Sequence, residues 1–461
     1  IKAAKRAKEA NFDGVELFGS EDGLISALIC PHFNKRDDKF GGSFENLMRF
    51  PVEILKGIKK ECGGDFPVGF KYNTIYNIEN GIDLNFGVRI ARKISEEGAA
   101  YIHCWSFETF EKPMSTFIYP PMPNLYQHRN SLLDISRNLK AFLQKTPVMV
   151  VGGILKPDEA DEIIAGGDAD LVAVGRGFIA ENLWAYKAKF SKNIRPCIRC
   201  HICHDEVAAK GNLVSCSVNP DVFARDRISY VKKSKEVVVV GGGPAGITAS
   251  IIASKRGHKV KLFEKAEKIG GKLIAGSAPE FKYEFKDFLK YLRFELRKSS
   301  VQINTNIKVS RDFLKKQKAD ILILAIGALA NYPDIEGIDS LNVFEAEFAL
   351  NNPDCFKGKN VVVIGGGDVG CETALFLKRK ACKKVTVIEI LDKLMKEEIK
   401  HNSVILESML RNEEIEIFTN SRVLKIKEDR IDFLRNNEII KNFKTDFIII
   451  ATGYKVPFEE L

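Results

Sequence analysis

The chain has 461 residues, of which 45% are hydrophobic and 28% are charged, and its formal net charge is +9. This length exceeds what one hydrophobic core supports and predicts about two to four domains. No apolar run of about 18 residues occurs, which excludes a membrane span, and basic residues interleave with acidic ones, which argues against a nucleic-acid-binding surface.

Short apolar strands alternate with amphipathic helical patterns through the first 190 residues. A helical pattern such as that at 46–61 lies between successive strands. This βα repetition predicts an α/β fold with parallel strands and helices outside. The predicted strands are 14–18, 67–71, 100–104, 147–151 and 170–174.

Glycines and an arginine follow the last two of these strands. Gly152 and Gly153 come after the fourth, and Gly175 and Arg176 come after the fifth. In a (β/α) barrel, the loops after the last two strands build a phosphate site from backbone N–H groups and a basic side chain. Ordinary loop glycines and a surface arginine would leave the same pattern, so the phosphate site is a hypothesis at this point.

Residues 232–461 contain the same glycine fingerprint twice. In each copy an apolar strand leads into a G-x-G-x-x-G turn and a helix, and a second strand ends in an acid. The glycines permit a tight turn, close approach of a pyrophosphate and helix–strand packing, while the acid binds a ribose hydroxyl. The residues are Gly241, Gly243, Gly246 and Glu264 in the first copy, and Gly365, Gly367, Gly370 and Glu389 in the second.

Two dinucleotide units in tandem predict FAD in the first and NADH in the second. Gly271 and Lys272, in the "IGGKL" segment after the first acid, support FAD there. Glu389 favours NAD over NADP, because a 2′-phosphate would meet like charge. The strand-like runs 321–330 and 447–457 close the two units.

Four cysteines crowd into the segment between these halves. The segment "RPCIRCHICHDEVAAKGNLVSC" holds Cys197, Cys200, Cys203 and Cys216. Three close thiolates and a later fourth favour a [4Fe–4S] cluster, with zinc and incidental thiols as alternatives and the nearby histidines as loop residues. A one-electron relay suits a place between two flavins. Ten cysteines in the whole chain are too sparse for a disulfide scaffold and predict a reducing, cytoplasmic setting.

Specific motifs along the whole chain resemble one enzyme family. They include "PHFNKRDDKFGGSFENLMRF" (31–50), "GDADLVAVGRGFIAE" (167–181), the four-cysteine run with "SVNP" (217–220) and both glycine fingerprints. The sequence is similar to the multidomain old yellow enzyme family, which includes 2-enoate reductase, 2,4-dienoyl-CoA reductase and trimethylamine dehydrogenase.

The resemblance implies a fold and an order of domains. The family barrel has eight strands, and the five predicted here resemble the fourth to the eighth, so we expect an internal fragment of a longer protein. The expected parts are an FMN-binding TIM-barrel portion (1–190), an iron–sulfur segment (191–232), a Rossmann-like FAD domain (233–355), a Rossmann-like NADH domain (356–450) and the start of a return to the FAD domain (451–461).

The resemblance also implies cofactor contacts. Gly152, Gly153, Gly175 and Arg176 would hold the FMN phosphate, and the four cysteines would hold the cluster. Lys71 stands where the family usually has an arginine beside the flavin, so it keeps the positive charge and loses the two-pronged geometry. Electrons would run from NADH through FAD and the cluster to FMN, and then to an activated C=C bond of a 2-enoate or enoyl-CoA.

The predicted catalytic segment departs from the family. "GSE" is kept at 19–21, but Gly23 occupies the position of the tyrosine that donates a proton to the alkene. The family histidine after the sixth strand corresponds to Glu108. Hydride addition needs a matching proton, and we predict Glu21, Asp22 and Glu108 as candidate donors, although each also fits a solvated loop carboxylate.

Two other functions stay open. One is a dehydrogenase or demethylase that resembles trimethylamine dehydrogenase and delivers electrons to a partner protein. The other is an electron-transfer homologue with impaired catalysis, which the missing tyrosine permits. The expected partners are a small unsaturated acid or acyl-CoA, with no nucleic acid and no membrane, and a homo-oligomer is left open.

Overall fold

The computed structural model describes residues 1–21, 23–108, 122–222 and 229–457, apart from the side chains of residues 107, 108 and 208. The chain divides into two compact units, Ile1–Phe178 and Ile179–Leu461. None of the described helices combines the length and apolar character that crossing a bilayer demands. The finer domain boundaries stay predictions.

The first unit is built on a parallel sheet of five described strands. Their order in the sheet is their order in the chain, as in the wall of a (β/α) barrel. All five predicted strands are confirmed, and the second and third extend beyond prediction because β-branched and aromatic residues continue the runs. The strands are β1 (Val15–Gly19), β2 (Val68–Asn77), β3 (Tyr101–Glu108), β4 (Val148–Val150) and β5 (Leu171–Val172).

Helices of the first unit cover one face of this sheet. The longest begins where the Ser43 hydroxyl accepts a hydrogen bond from Asn46 N–H, and it ends before Gly63, whose φ is +95°. Its buried stripe includes Leu47, Leu55 and Ile58. The helices are α1 (Lys2–Glu9), α2 (Leu24–Ile29), α3 (Phe44–Cys62), α4 (Leu84–Glu96), α5 (Leu133–Phe142) and α6 (Pro157–Ala165). Three short helices follow along the chain: α7 (Arg176–Ala180), α8 (Trp184–Lys189) and α9 (Ile202–Ala208).

The second unit contains two parallel sheets of the dinucleotide-binding kind. The first has the order β8-β7-β6-β9, with the fingerprint strand in its interior. Four of the five residues of β6 are buried, as in parallel sheets covered on both faces. Its strands are β6 (Glu236–Val240), β7 (Lys259–Phe263), β8 (Gln302–Asn304) and β9 (Ile321–Leu324), with helices α10 (Pro244–Lys255), α11 (Leu273–Gly276), α12 (Tyr283–Lys298) and α13 (Arg311–Lys316) and a 3-10 turn at Glu280–Lys282.

The second sheet repeats this plan. Its order is β11-β18-β12-β13-β14. It comprises β11 (Val343–Glu345), β12 (Asn360–Ile364), β13 (Lys384–Ile388), β14 (Glu416–Phe418) and β18 (Phe447–Ile450), with α14 (Ala346–Asn351), a 3-10 turn at Pro353–Phe356, α15 (Asp368–Arg379) and α16 (Lys400–Asn412). Since β11 pairs with β18, this sheet includes a strand that precedes residue 356, the predicted start of the NADH domain.

Two small antiparallel sheets complete the second unit. One consists of β15 (Ser421–Ile426), β16 (Arg430–Arg435) and β17 (Glu438–Lys444). The other pairs β10 (Leu329–Ala330) with β19 (Tyr454–Lys455), which follow β9 and β18 within the two predicted closing runs 321–330 and 447–457. This pairing ties the ends of the two nucleotide units together.

Candidate functional site

A partly buried cation lies on the face of the first sheet. The Lys71 ammonium on β2 lies 3.7 Å from the centroid of the Trp105 ring on β3. Burial lowers the pKa of Lys71, and the carboxylates of Glu16 and Glu21 oppose that shift. Such a cation, flanked by an aromatic ring, is suited to an anion held against the sheet.

A histidine–carboxylate pair on the same sheet, with a buried histidine, was missed from the sequence. His103 Nδ1 lies 3.0 Å from Glu16 Oε2, and the His103 side chain is 8% exposed. Burial raises the pKa of Glu16, but the hydrogen bond and charge of His103 outweigh it, so this pKa lies below its usual range. His103 is directly opposite Lys71 in the β2–β3 register. The available sequence signal was the spacing of two residues between His103 and Trp105, which places both side chains on the same face of β3.

Two of the predicted phosphate residues, Gly153 and Arg176, approach the same loop. A Cβ on Gly153 would come within 2.9 Å of the Pro123 side chain. The Arg176 guanidinium donates a hydrogen bond of 2.8 Å to the Pro123 carbonyl. Gly152 and Gly153 have φ values of +123° and +85°, which only glycine adopts without strain, and a Cβ on Gly175 would meet no atom within 4 Å. The structure therefore brings Gly153 and Arg176 to one loop, with open space at Gly175.

Of the three predicted proton donors, Glu21 is the one whose surroundings the structure describes. Glu21 N–H donates to Asn73 Oδ1 at 2.9 Å, and Asn73 Nδ2 donates back to the Glu21 carbonyl at 2.9 Å. Asn73 also donates to Ser26 Oγ at 2.8 Å, so a side chain that is 1% exposed fixes the loop after β1. Asp22 and the side chain of Glu108 lie outside the described residues.

The first glycine fingerprint has the geometry expected of its three positions. A Cβ on Gly241 would lie 2.2 Å from the Ala325 carbonyl oxygen, and one on Gly246 would lie 1.9 Å from the Gly241 carbonyl oxygen. These two glycines are required by packing. A Cβ on Gly243 would meet nothing within 4 Å, which leaves open space at the start of α10.

The second fingerprint reproduces that pattern. A Cβ on Gly365 would lie 2.4 Å from the Ala451 carbonyl oxygen, and one on Gly370 would lie 1.9 Å from the Gly365 carbonyl oxygen. Gly367, at the start of α15, again faces open space. A cavity of about 390 Å³ lies beside it and is lined by Gly367, Asp368 and Tyr454 among others.

The two acids at the strand ends make matching hydrogen bonds. Glu264 accepts from Gly242 N–H at 2.6 Å and from Ala266 N–H at 2.8 Å. Glu389 accepts from Gly366 N–H at 2.5 Å and from Leu391 N–H at 2.8 Å. Both are 7% exposed. Each carboxylate is thus fixed beside its glycine turn, where a ribose would arrive.

The two residues predicted from "IGGKL" differ in their surroundings. A Cβ on Gly271 would lie 2.9 Å from Gly243 Cα, so Gly271 abuts the first glycine turn. The Lys272 ammonium pairs with Glu347 and lies 4.8 Å from the centroid of the Tyr454 ring. Lys272 therefore reaches residues that follow the first nucleotide sheet along the chain.

The four predicted cysteines belong to the second unit and are not joined in disulfides. Cys197, Cys200 and Cys216 pack against the apolar core that β6, α10 and α12 form. Arg199 N–H donates to Cys197 Sγ at 3.4 Å, and Cys200 Sγ lies 3.2 Å from Ser217 Oγ. Three thiols packed against an apolar core, with an N–H donor to one sulfur, are compatible with an iron–sulfur cluster, whose potential depends on such hydrogen bonds.

A buried ion pair anchors the cysteine segment and was also missed from the sequence. Arg199 Nε donates to Glu284 Oε1 on α12 at 2.5 Å, and the two side chains are 1% and 3% exposed. Two charges out of water are stable only while paired, because each pays a large desolvation cost. The pair holds the backbone between two of the predicted cluster ligands.

We expect Glu284→Gln to destabilise the second unit by about 3–5 kcal/mol, because it leaves the Arg199 charge buried without its anion. Urea unfolding followed by fluorescence measures this loss. Glu206→Gln, which disturbs an exposed pair with Lys210, should leave the unfolding midpoint unchanged. The double variant Arg199→Met with Glu284→Leu should recover most of the loss, and no recovery would contradict the desolvation argument.

Comparison with known proteins gives matches over both units. Residues 1–194 match the NADH:flavin oxidoreductase / NADH oxidase family, and residues 228–460 match the pyridine nucleotide-disulphide oxidoreductase family. NADH oxidase of Thermoanaerobacter brockii is 39% identical over 404 positions, covering 85% of this chain and 60% of that protein. Cinnamate reductase of Clostridium sporogenes is 32% identical over 484 positions, covering 98% and 70%.

A solved structure of similar fold is a 2-naphthoyl-CoA reductase in complex with 2-naphthoyl-CoA. It matches with a TM-score of 0.92 and 26% identity, over 99% of this chain and 69% of that one. The chain thus spans 60% to 70% of the length of these relatives. The similarity to these proteins extends over the parallel sheet of the first unit, the cysteine segment and both nucleotide sheets. The chain therefore belongs to the multidomain old yellow enzyme family.

Proposed function

We propose that this chain carries the cofactor machinery of an NADH-dependent flavin and iron–sulfur oxidoreductase that reduces an activated C=C bond. The observation that carries the proposal is the duplicated glycine turn, with an open position and a fixed carboxylate in each copy. One copy would serve a bound flavin dinucleotide and the other NADH. Two of the relatives, a cinnamate reductase and a 2-naphthoyl-CoA reductase, support an unsaturated acid or acyl-CoA as substrate.

In this proposal the first unit holds FMN. The backbone at Gly152, Gly153 and Gly175 and the Arg176 side chain would bind its phosphate. Lys71 would place its charge beside the flavin ring, where it favours the anionic reduced form. Because Lys71 is already partly desolvated against Trp105, its charge acts through little water.

The second unit would hold the other cofactors. FAD would lie against Gly241, Gly243, Gly246, Glu264, Gly271 and Lys272, NADH against Gly365, Gly367, Gly370 and Glu389, and the cluster on Cys197, Cys200, Cys203 and Cys216. When bound, the flavins accept electron pairs and the cluster passes single electrons, so that electrons run from NADH through FAD and the cluster to FMN. Cysteines that are not joined in disulfides are typical of a reducing compartment, which supports a cytoplasmic location in this proposal.

Alkene reduction also needs a proton at the carbon next to the hydride acceptor. Glu21 is the candidate whose loop is fixed, since Asn73 holds its backbone from both sides. Asp22 and Glu108 stay candidates on sequence grounds. A clamped loop keeps a donor in place, which matters because a displacement of about 1 Å costs on the order of 100-fold in rate.

The proposal is tested by anaerobic NADH oxidation with the full-length protein, loaded with both flavins and iron, in the presence of 2-enoates and enoyl-CoA thioesters. We expect turnover that the alkene stimulates and a saturated product. Flavin that NADH reduces without any alkene-stimulated turnover would refute alkene reduction. Flavin that NADH cannot reduce, but that an amine substrate can, would favour the dehydrogenase alternative.

Glu389→Gln should lower the preference for NADH over NADPH. The glutamine keeps the shape but removes the negative charge that repels a 2′-phosphate. We expect the ratio of kcat/KM for NADH to that for NADPH to fall by at least about tenfold, equivalent to about 1.4 kcal/mol. Steady-state flavin reduction measures it. Glu264→Gln, at the equivalent position of the first copy, should leave this ratio unchanged, and an equal fall in both variants would contradict the assignment.

A further inference from the structure

Three histidines from two separate elements meet in the second unit. One ring nitrogen from each of His201, His204 and His401 lies within 4.8 Å of the others. We propose that these imidazoles form a binding site for a divalent transition-metal ion of the zinc type, distinct from the cysteine site. This site goes beyond the redox function proposed above, which does not use it.

The local backbone brings two of the donors together. His201 directly precedes α9 and has a left-handed φ of +62°, and His204 lies three residues further, so both reach the same side of the helix start. The ring centroids of His201 and His204 lie 6.2 Å apart.

The third donor comes from a distant part of the chain and is held in place. His401 is the second residue of α16, and its ring centroid lies 5.6 Å from that of His201 and 5.3 Å from that of His204. The neighbouring Asn402 donates from Nδ2 to the Cys200 carbonyl at 3.0 Å. This hydrogen bond fixes the start of α16 against the cysteine segment, so His401 does not depend on a mobile loop.

The chemistry of the donors indicates the class of ion. Imidazole nitrogens suit zinc, copper, nickel and iron, whereas calcium and magnesium require oxygen ligands. Three protein nitrogens leave one position of a tetrahedral ion open for water. His201 is 2% exposed, and the Asp205 carboxylate acts electrostatically on His401. The site is therefore shielded from solvent at His201 and has a negative charge nearby.

A bound ion would link two parts of the second unit that are far apart in sequence. It would join the cysteine segment, through α9, to the second nucleotide sheet, through α16. Ligands that bind only the folded form stabilise it by mass action. Packing of the three rings against one another would be enough to explain the distances between their centroids. It would not require that one nitrogen of each ring lie within 4.8 Å of the others.

The experiment uses the full-length protein, purified anaerobically with its iron–sulfur cluster, equilibrated with Zn²⁺ and passed over a desalting column. Metal analysis should find one zinc per chain in addition to the cluster iron. Zinc X-ray absorption should show nitrogen or oxygen neighbours at about 2.0–2.1 Å and no sulfur at about 2.3 Å. His401→Gln should lose the zinc and keep the iron and flavin, whereas His128→Gln, at an exposed histidine of the first unit, should keep all three.

Three results would overturn the proposal. The first is wild-type protein that retains no zinc while its iron is complete. The second is zinc with sulfur neighbours, because the ion would then occupy the cysteine site. The third is a His401→Gln protein that retains zinc at the wild-type level. If His401→Gln fails to fold, the stoichiometry and absorption spectrum of the wild-type protein still decide, and neither depends on NADH oxidation.

Discussion

Replacing Cys216 with alanine should remove the iron–sulfur cluster and stop alkene-dependent NADH oxidation, while NADH still reduces the FAD. A cube uses one thiolate for each iron, and the side chain of alanine offers no donor. Cys216 packs against the same apolar core as Cys197 and Cys200. We expect the iron content to fall from about four atoms per chain to fewer than one.

Iron analysis and stopped-flow reduction of the two flavins measure this result. Cys355→Ala is the matched control, because Cys355 is an exposed free thiol in the second unit and should leave both readouts unchanged. Full iron in Cys216→Ala would remove Cys216 from the ligand set. Wild-type protein that contains zinc at the cysteines and no iron would instead support the structural zinc alternative.

The parts of the fold that were predicted correctly are those that short stretches of chain encode. The run "EVVVVGGGPAG" predicts a strand, a turn and a helix, because apolar period and glycine spacing act over about ten residues. The same holds for the strands of the first sheet and for Glu264 and Glu389, whose positions at strand ends place them beside the glycine turns. The local sequence pattern was thus sufficient to predict the strand, turn and helix at each glycine fingerprint.

What the sequence did not reveal depends on contacts between distant segments. In the sequence, Arg199 is one basic residue among others in a predicted loop, and only the folded structure shows that Glu284 of α12 pairs with it. His201 and His204 read as loop residues until α16 supplies His401, about 200 residues later. Nothing in the spacing of one segment records which side chain of another will face it, because that is decided by how the sheets and helices pack.

The two glycine fingerprints also show that one motif combines two kinds of requirement. Gly241 and Gly246 are needed for the folded chain itself, since a Cβ at either would overlap a carbonyl oxygen. A Cβ on Gly243 would meet no atom of the described chain within 4 Å, so we expect its lack of a side chain to serve a ligand. The motif can therefore be separated by substitution into a packing part and a binding part.

That separation gives a prediction for the second fingerprint. Gly367→Ala should leave the fold nearly intact, because a Cβ there meets no atom within 4 Å and the backbone φ of −70° suits alanine. Its cost to stability is at most about 1 kcal/mol, from replacing a glycine N-cap. The methyl group would occupy the space for the pyrophosphate, so we expect the KM for NADH to rise by at least about tenfold, or about 1.4 kcal/mol.

Gly370→Ala should show the opposite pattern. Its Cβ would lie 1.9 Å from the Gly365 carbonyl oxygen, so the turn and α15 must move apart at a cost of about 1–3 kcal/mol or more. Thermal unfolding and NADH titration of the two variants distinguish these effects, and Gly243→Ala, the equivalent of Gly367 in the first copy, should weaken FAD retention without raising the KM for NADH. If Gly367→Ala unfolds as readily as Gly370→Ala, or binds NADH as tightly as the wild-type protein, then the open space at Gly367 is not where the nucleotide lies.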